Sequence, residues 1–135
     1  MVLQNIKYQG GLRCEAEHAP SKTKLITDAP VDNMGKGESF SPTDLVATAL
    51  TTCVLTTMAI AARKYGLELG PCTASVEKHM ATTSPRRIAK LVCNVTASGI
   101  DDAHLREKIE LAAHKCPVHM SLHPDIEQAI TINWQ

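Results

Sequence analysis

The residues of this 135-residue chain with the widest chemical reach are its five cysteines. Cys14, Cys53, Cys72, Cys93 and Cys116 are an odd number without regular spacing, unlike the disulfide framework of a small secreted domain. Reduced thiols are therefore expected, and any disulfide is then transient or catalytic. Cys14, Cys72 and Cys93 take inward positions on predicted strands, where a free cysteine behaves as a small hydrophobe. Cys53, mid-helix among threonines, fits packing and chemistry equally well. Cys116 is more suggestive, because it directly precedes Pro117, which ends or bends a helix and alters the local backbone. Around it, HKCPVHMSLHPD adds His114, His119 and His123. Cys116, His119 and His123 would share a face if the segment were helical, and zinc accepts such ligands. Pro117 disturbs that register and no Cys-x-x-Cys is present, so a polar, partly exposed histidine face is the favoured reading and a metal-binding protein the lesser one.

Two helices must position these thiols. SPTDLVATALTTCVLTTMAIAARKYG, Ser41 to Gly66, opens with a serine that can cap free N–H groups, a proline suited to the first helical position and Asp44 to complement the dipole. It closes with Arg63, Lys64 and then Gly66, suited to a left-handed cap. A helix is predicted from about Pro42 to Tyr65, carrying no charge between Asp44 and Arg63 over roughly 27 Å. That run reaches the lower limit of about 18 residues for a membrane span. Its five threonines, Thr48, Thr51, Thr52, Thr56 and Thr57, favour the central helix of a soluble domain instead. A second helix follows a cap at Asp101 or Asp102, with Leu105, Ile109, Ala112, Ala113 and Cys116 at helical spacing.

The remaining segments read as strands. Gln4 to Tyr8 leads through the hairpin signal Gly10-Gly11 to a run in which Leu12, Cys14 and Ala16 alternate with Arg13, Glu15 and Glu17. Thr23 to Thr27 is a third strand, and Asp28 to Phe40 a long loop into the first helix. Cys72 to Met80 and Ile88 to Ala97 form an antiparallel pair, and Ile130, Ile132 and Trp134 lie on a last strand. The order is three strands, helix, two strands, helix, strand. It predicts one α+β domain over residues 1–135 with an antiparallel sheet. Because a long helix that is apolar all round is hard to bury in so small a monomer, a dimer sharing these helices is expected.

Fourteen basic and fourteen acidic residues cancel without long runs of either sign, which removes the simple electrostatic case for nucleic acid or an anionic membrane as partner. MVLQNIKYQGG lacks the apolar core of a signal peptide, so a cytoplasmic location is expected.

Taken together, SPTDLVATALTTC and AAHKCPVHMSLHPDIE, with the Gly10-Gly11 hairpin and the loop GKGESFSP, resemble the OsmC/Ohr family of thiol-dependent peroxidases and redox proteins. The resemblance implies a sheet wrapped on central helices in an intertwined homodimer with active sites near the subunit interface. It implies that Cys53 is the peroxidatic and Cys116 the resolving cysteine of a dithiol–disulfide cycle that reduces organic hydroperoxides. An external dithiol would restore the thiols, no metal or organic cofactor would be required, and Leu50, Val54 and Met58 would line an apolar cleft for the substrate. In the peroxidase branches an arginine directly follows the paired glycines and a glutamate directly follows the proline. Here Leu12 and Thr43 stand at those places, and Arg13 and Asp44 lie one residue further on. Arg13, Asp44 and Glu38 of the loop are the candidates for supporting the thiolate. The alternative is an OsmC-like protein that binds small hydrophobic or thiol-reactive metabolites at the dimer cleft without turnover.

Overall fold

The computed structural model describes Met1–Gln135, and its internal contacts cluster into two compact units, Met1–Val46 and Ala47–Gln135. The class is α+β, with two three-stranded sheets and a long helix.

In the first unit, β1 (Gln4–Gly10), β2 (Arg13–His18) and β3 (Lys24–Asp28) form an antiparallel sheet in that order. The first turn is centred one residue later than the Gly10-Gly11 signal suggests. Gly10 pairs with Arg13 across it, after an irregularity between Tyr8 and Gly10, and both intervening residues have positive φ, 59° at Gly11 and 62° at Leu12. Tight hairpins favour such conformations because their twist matches that of the strands. Leu12 thus sits in the turn and Arg13 begins β2. The alternation read from the sequence holds. Pairing aligns Ile6, Ala16 and Leu25, and Tyr8, Cys14 and Thr27, on one face; Arg13 and Asp28, and Lys7, Glu15 and Ile26, share the other. No apolar side chain of this unit is buried. Only Thr27, Asp28 and Ser41 are.

The long helix, α1 (Pro42–Lys64), starts as its sequence predicts. The Ser41 hydroxyl accepts the Asp44 amide N–H at 3.1 Å and the Asp44 carboxylate accepts the Ser41 amide N–H at 2.8 Å, a reciprocal capping box. It ends in a Schellman motif, with Gly66 at φ 72°, the Leu67 amide donating to the Ala62 carbonyl and the Gly66 amide to that of Arg63. The helix is long and apolar enough to cross a membrane by length and composition. Its side chains nonetheless divide by face: Ala47, Leu50, Thr51, Val54, Met58, Ala61 and Ala62 are buried, whereas Ala49, Thr52, Thr56 and Ile60 are exposed. The Thr52 and Thr56 hydroxyls are satisfied by carbonyls four residues back.

In the second unit, β4 (Thr73–Met80) pairs antiparallel with β5 (Ile88–Ala97), which pairs with β6 (Glu127–Trp134). The β5–β6 pairing is parallel, so the expectation of a purely antiparallel sheet is corrected there. The reason lies in the connection: α2 (Ala103–Ala113) and α3 (Pro117–Ser121) supply the crossover that parallel neighbours require. Asp102 caps α2 by accepting the His104 and Leu105 amides. Leu91, Cys93, Val95, Ala97, Ile100, Ile109, Ala113 and Cys116 join the buried side chains of α1 as the apolar core. Trp134 donates its indole N–H to Glu110 at 2.6 Å under the Arg106 guanidinium, which ties β6 to α2.

Candidate active site

A thiol in mid-helix and another at a helix junction can cooperate only if packing brings them together, and here it does. Cys53 lies half-buried on α1 and Cys116 is fully buried between α2 and α3, with Cys53 among the neighbouring groups that act on the Cys116 thiol. Each backbone is held by its own helix. The Cys116 amide donates to the Ala113 carbonyl, closing α2, and Pro117 then opens α3 with no N–H of its own. The Cys116 sulfur acts as the cap of α3, accepting the His119 amide N–H at 3.4 Å.

These surroundings oppose one another electrostatically. Burial pushes the Cys116 thiol above its ordinary pKa, the His119 amide pulls it down, and Cys53 alongside pushes it up again. In the reduced state Cys116 therefore keeps its proton.

Leu50, Val54 and Met58 follow one another at intervals of four along α1 and have no exposure. They belong to the core rather than to a surface cleft. Cys93 is likewise fully buried, Cys14 is half-buried, and the Cys72 thiol donates to the Gly70 carbonyl at 3.2 Å. These positions fit the packing reading of the three remaining cysteines. The histidines do not form the ligand face that a continuous helix would give. α3 ends at Ser121, His123 accepts the Asp125 amide, and no group of three His, Cys, Asp or Glu side chains gathers for a metal ion.

Within the first unit, the Arg13 guanidinium pairs with Glu38, closely, and with Asp28 at 3.4 Å. The Asp28 side chain is fully buried and also accepts the Glu38 amide N–H at 2.9 Å. That amide, then Arg13, holds the Asp28 carboxyl below its usual value, while Glu38 and then Asp28 raise the Arg13 guanidinium. Arg13 is accordingly not a lone surface charge opposite Glu15 and Glu17, which engage Lys24 instead. Asp44 serves the capping box of α1.

Two residues escaped the sequence reading. Asp28 opens the loop that the sequence predicts, yet the strand register puts it directly opposite Arg13. Gln128 stands where the alternation of Ile130, Ile132 and Trp134 calls for an apolar residue, and that break was the available signal. Its side chain donates to the His119 carbonyl at 3.3 Å, bracing α3 from β6, while the Gln128 Oε1 and His119 Nδ1 atoms are buried without a hydrogen-bond partner.

Comparison with known proteins agrees with this architecture. No curated protein matches the chain. A crystal structure from Psychrobacter arcticus 273-4, described as an osmotic stress induced and detoxification response protein, is 44% identical, with a TM-score of 0.91 over 98% of this chain and 96% of that one. An organic hydroperoxide resistance protein OsmC from Legionella pneumophila has the same fold at 18% identity, TM-score 0.75, over 98% and 96% of the two chains. So does an organic hydroperoxide resistance protein from Vibrio cholerae, with captopril bound in one of its active sites, at 16% identity and TM-score 0.72 over 97% and 91%. The family model described as OsmC-like protein matches residues 35–131, which include both Cys53 and Cys116, and the chain belongs to the OsmC-like family.

Proposed function

We propose that the protein is a thiol-dependent peroxidase that reduces organic hydroperoxides through a Cys53/Cys116 dithiol–disulfide cycle. The observation that carries this reading is the placing of the two thiols as neighbours, one partly accessible and one fully buried with its proton held on. The Cys53 thiolate attacks the outer oxygen of the hydroperoxide; the O–O bond breaks, the alkoxide takes a proton and leaves as an alcohol, and Cys53 becomes a sulfenic acid. Cys116 then displaces hydroxide from that sulfur, its proton completing a water molecule, and the disulfide forms. An external dithiol returns the two electrons by exchange. The chemistry needs no metal or organic cofactor.

The working unit in this proposal is a homodimer in the cytoplasm. Exposed Ile6, Tyr8 and Leu25 on one face of the first sheet and an exposed stripe of Ala49, Thr52, Thr56 and Ile60 on α1 support the assembly, because both are surfaces a second copy can cover. Five free thiols are consistent with a reducing compartment. Arg13 and Glu38 are carried as candidates for tuning the thiolate. Binding of a small metabolite without turnover is the second reading, favoured by Leu12 and Thr43 standing where the peroxidase branches carry arginine and glutamate.

The test is a thiol count with intact mass after a small excess of cumene hydroperoxide. Rapid loss of two thiols in the parent, a sulfenate trapped on Cys53 in Cys116→Ser, and no rapid oxidation in Cys53→Ser are expected. Arg13→Met slows the reaction if Arg13 supports the thiolate. If the parent keeps all five thiols for minutes while a known thiol peroxidase reacts beside it, turnover is refuted and binding without chemistry becomes the reading.

A further inference from the structure

We infer that reduction of the Cys53–Cys116 disulfide has a fixed direction: the incoming thiolate attacks the Cys53 sulfur, and Cys116 is the sulfur that leaves. The inference rests on the dithiol cycle proposed above and goes beyond it by assigning different roles to the two sulfurs.

Access and leaving-group stability both favour this direction. Thiol–disulfide exchange requires in-line approach to one sulfur while the other departs as a thiolate, and its rate depends on which sulfur can be reached and how well the departing one bears charge. Cys116 has no exposed surface, and any further covering of the molecule can only reduce access. Cys53 is partly exposed in the single chain. The departing electron pair also needs donors. Pro117 offers none, but the His119 amide donates its N–H to the Cys116 sulfur at 3.4 Å. Gln128, bonded to the His119 carbonyl, holds that segment in place from β6.

The state of Cys53 sharpens the asymmetry. In the reduced protein Cys53 is among the influences that keep the proton on Cys116. Once its sulfur is bonded to an incoming thiol it can carry neither charge nor proton, so that influence is gone when Cys116 must leave. In the step, one S–S bond forms between the reductant and Cys53, one breaks between Cys53 and Cys116, and the electron pair goes to Cys116. A second thiolate of the reductant then attacks the sulfur bonded to Cys53. It closes the reductant's own disulfide, or forms one between two monothiol molecules, and releases Cys53 as thiolate. Two electrons have then moved from the reductant to the pair.

The experiment forms the disulfide with diamide, which makes it independent of peroxide turnover. The oxidised protein is exposed briefly to the monothiol 2-mercaptoethanol, quenched with acid, alkylated with N-ethylmaleimide and digested with trypsin. Residues 37–63 and 116–135 are separate tryptic peptides, so the two sulfurs are read independently. The mercaptoethanol adduct is expected on Cys53 and the maleimide on Cys116, at a ratio of at least ~10:1 given the dependence of exchange on access and leaving group. An adduct mainly on Cys116, or shared equally, overturns the inference. Failure of both diamide and cumene hydroperoxide to form the disulfide refutes the dithiol cycle itself, and this inference with it. A disulfide formed by diamide but not by hydroperoxide refutes only the peroxidase reading and leaves the direction of reduction to be decided by the adduct.

Discussion

The two halves of the chain solve opposite problems. Residues 47–135 put apolar side chains inside, and fifteen buried hydrophobic residues, two of them cysteines, make a core there. Residues 1–46 put polar groups inside: Thr27, Asp28 and Ser41 are buried, while Ile6, Tyr8 and Leu25 share the apolar face of the sheet at 62%, 63% and 44% exposure. Three strands need a packed hydrophobic face for independent stability. The difference teaches that one half has an apolar core of its own, whereas the other is organised by a charge cluster and a helix cap.

The most sensitive way to break this contrast is Ile6→Asp with Tyr8→Asp, which places two charges on the apolar face of the first sheet. Sedimentation velocity is expected to show a dimer for the parent and a monomer for the double variant; a monomeric parent would mean that the face is not covered by a second copy. Next in size is Leu50→Ala in the apolar core. Loss of a fully buried leucine typically costs about 2–5 kcal/mol, read from urea denaturation. A loss below about 0.5 kcal/mol, the scale of surface changes, would contradict the core assignment.

The smallest and most local effect concerns Asp28. The Glu38 amide, and then Arg13, lower its pKa, so its stabilisation is present above the unfolded value of about 3.9 and is lost as pH falls through the lower folded value. Thermal scans should show the parent losing stability as pH falls below about 4. Asp28→Asn should start from a lower melting temperature at pH 7 and show a shallower fall over that acid range. Parallel curves for the two proteins would remove Asp28 from the account.

Much of this was legible in the sequence because local signals and long-range packing agree. The Ser41 and Asp44 capping box, the Gly66 terminus, the Asp102 cap and the two-fold alternation of β2 depend on neighbours in the chain, and each is present. What was not legible depends on partners distant in sequence. The parallel placement of β6 follows from where the crossover docks, the pairing of Arg13 with Asp28 from the β2–β3 register, and the brace from Gln128 to His119 from α3 meeting β6. The thiol pair stands between the two cases. Family resemblance named the pair, but only packing across sixty-three positions of sequence could bring Cys53 and Cys116 together.

The parallel strand also bears on how the molecule forms. The first sheet closes through short hairpins, whereas β6 can join β5 only after the whole segment from Ser98 to Ile126 has been looped back. Closing a loop grows entropically costlier with its length, and non-local pairing slows folding. Cys116 lies within that loop, so the chain that carries the thiol is fixed in place together with the third strand of the second sheet. Recovery of Cys53–Cys116 cross-linking by diamide then serves as a clock for the closing of that sheet.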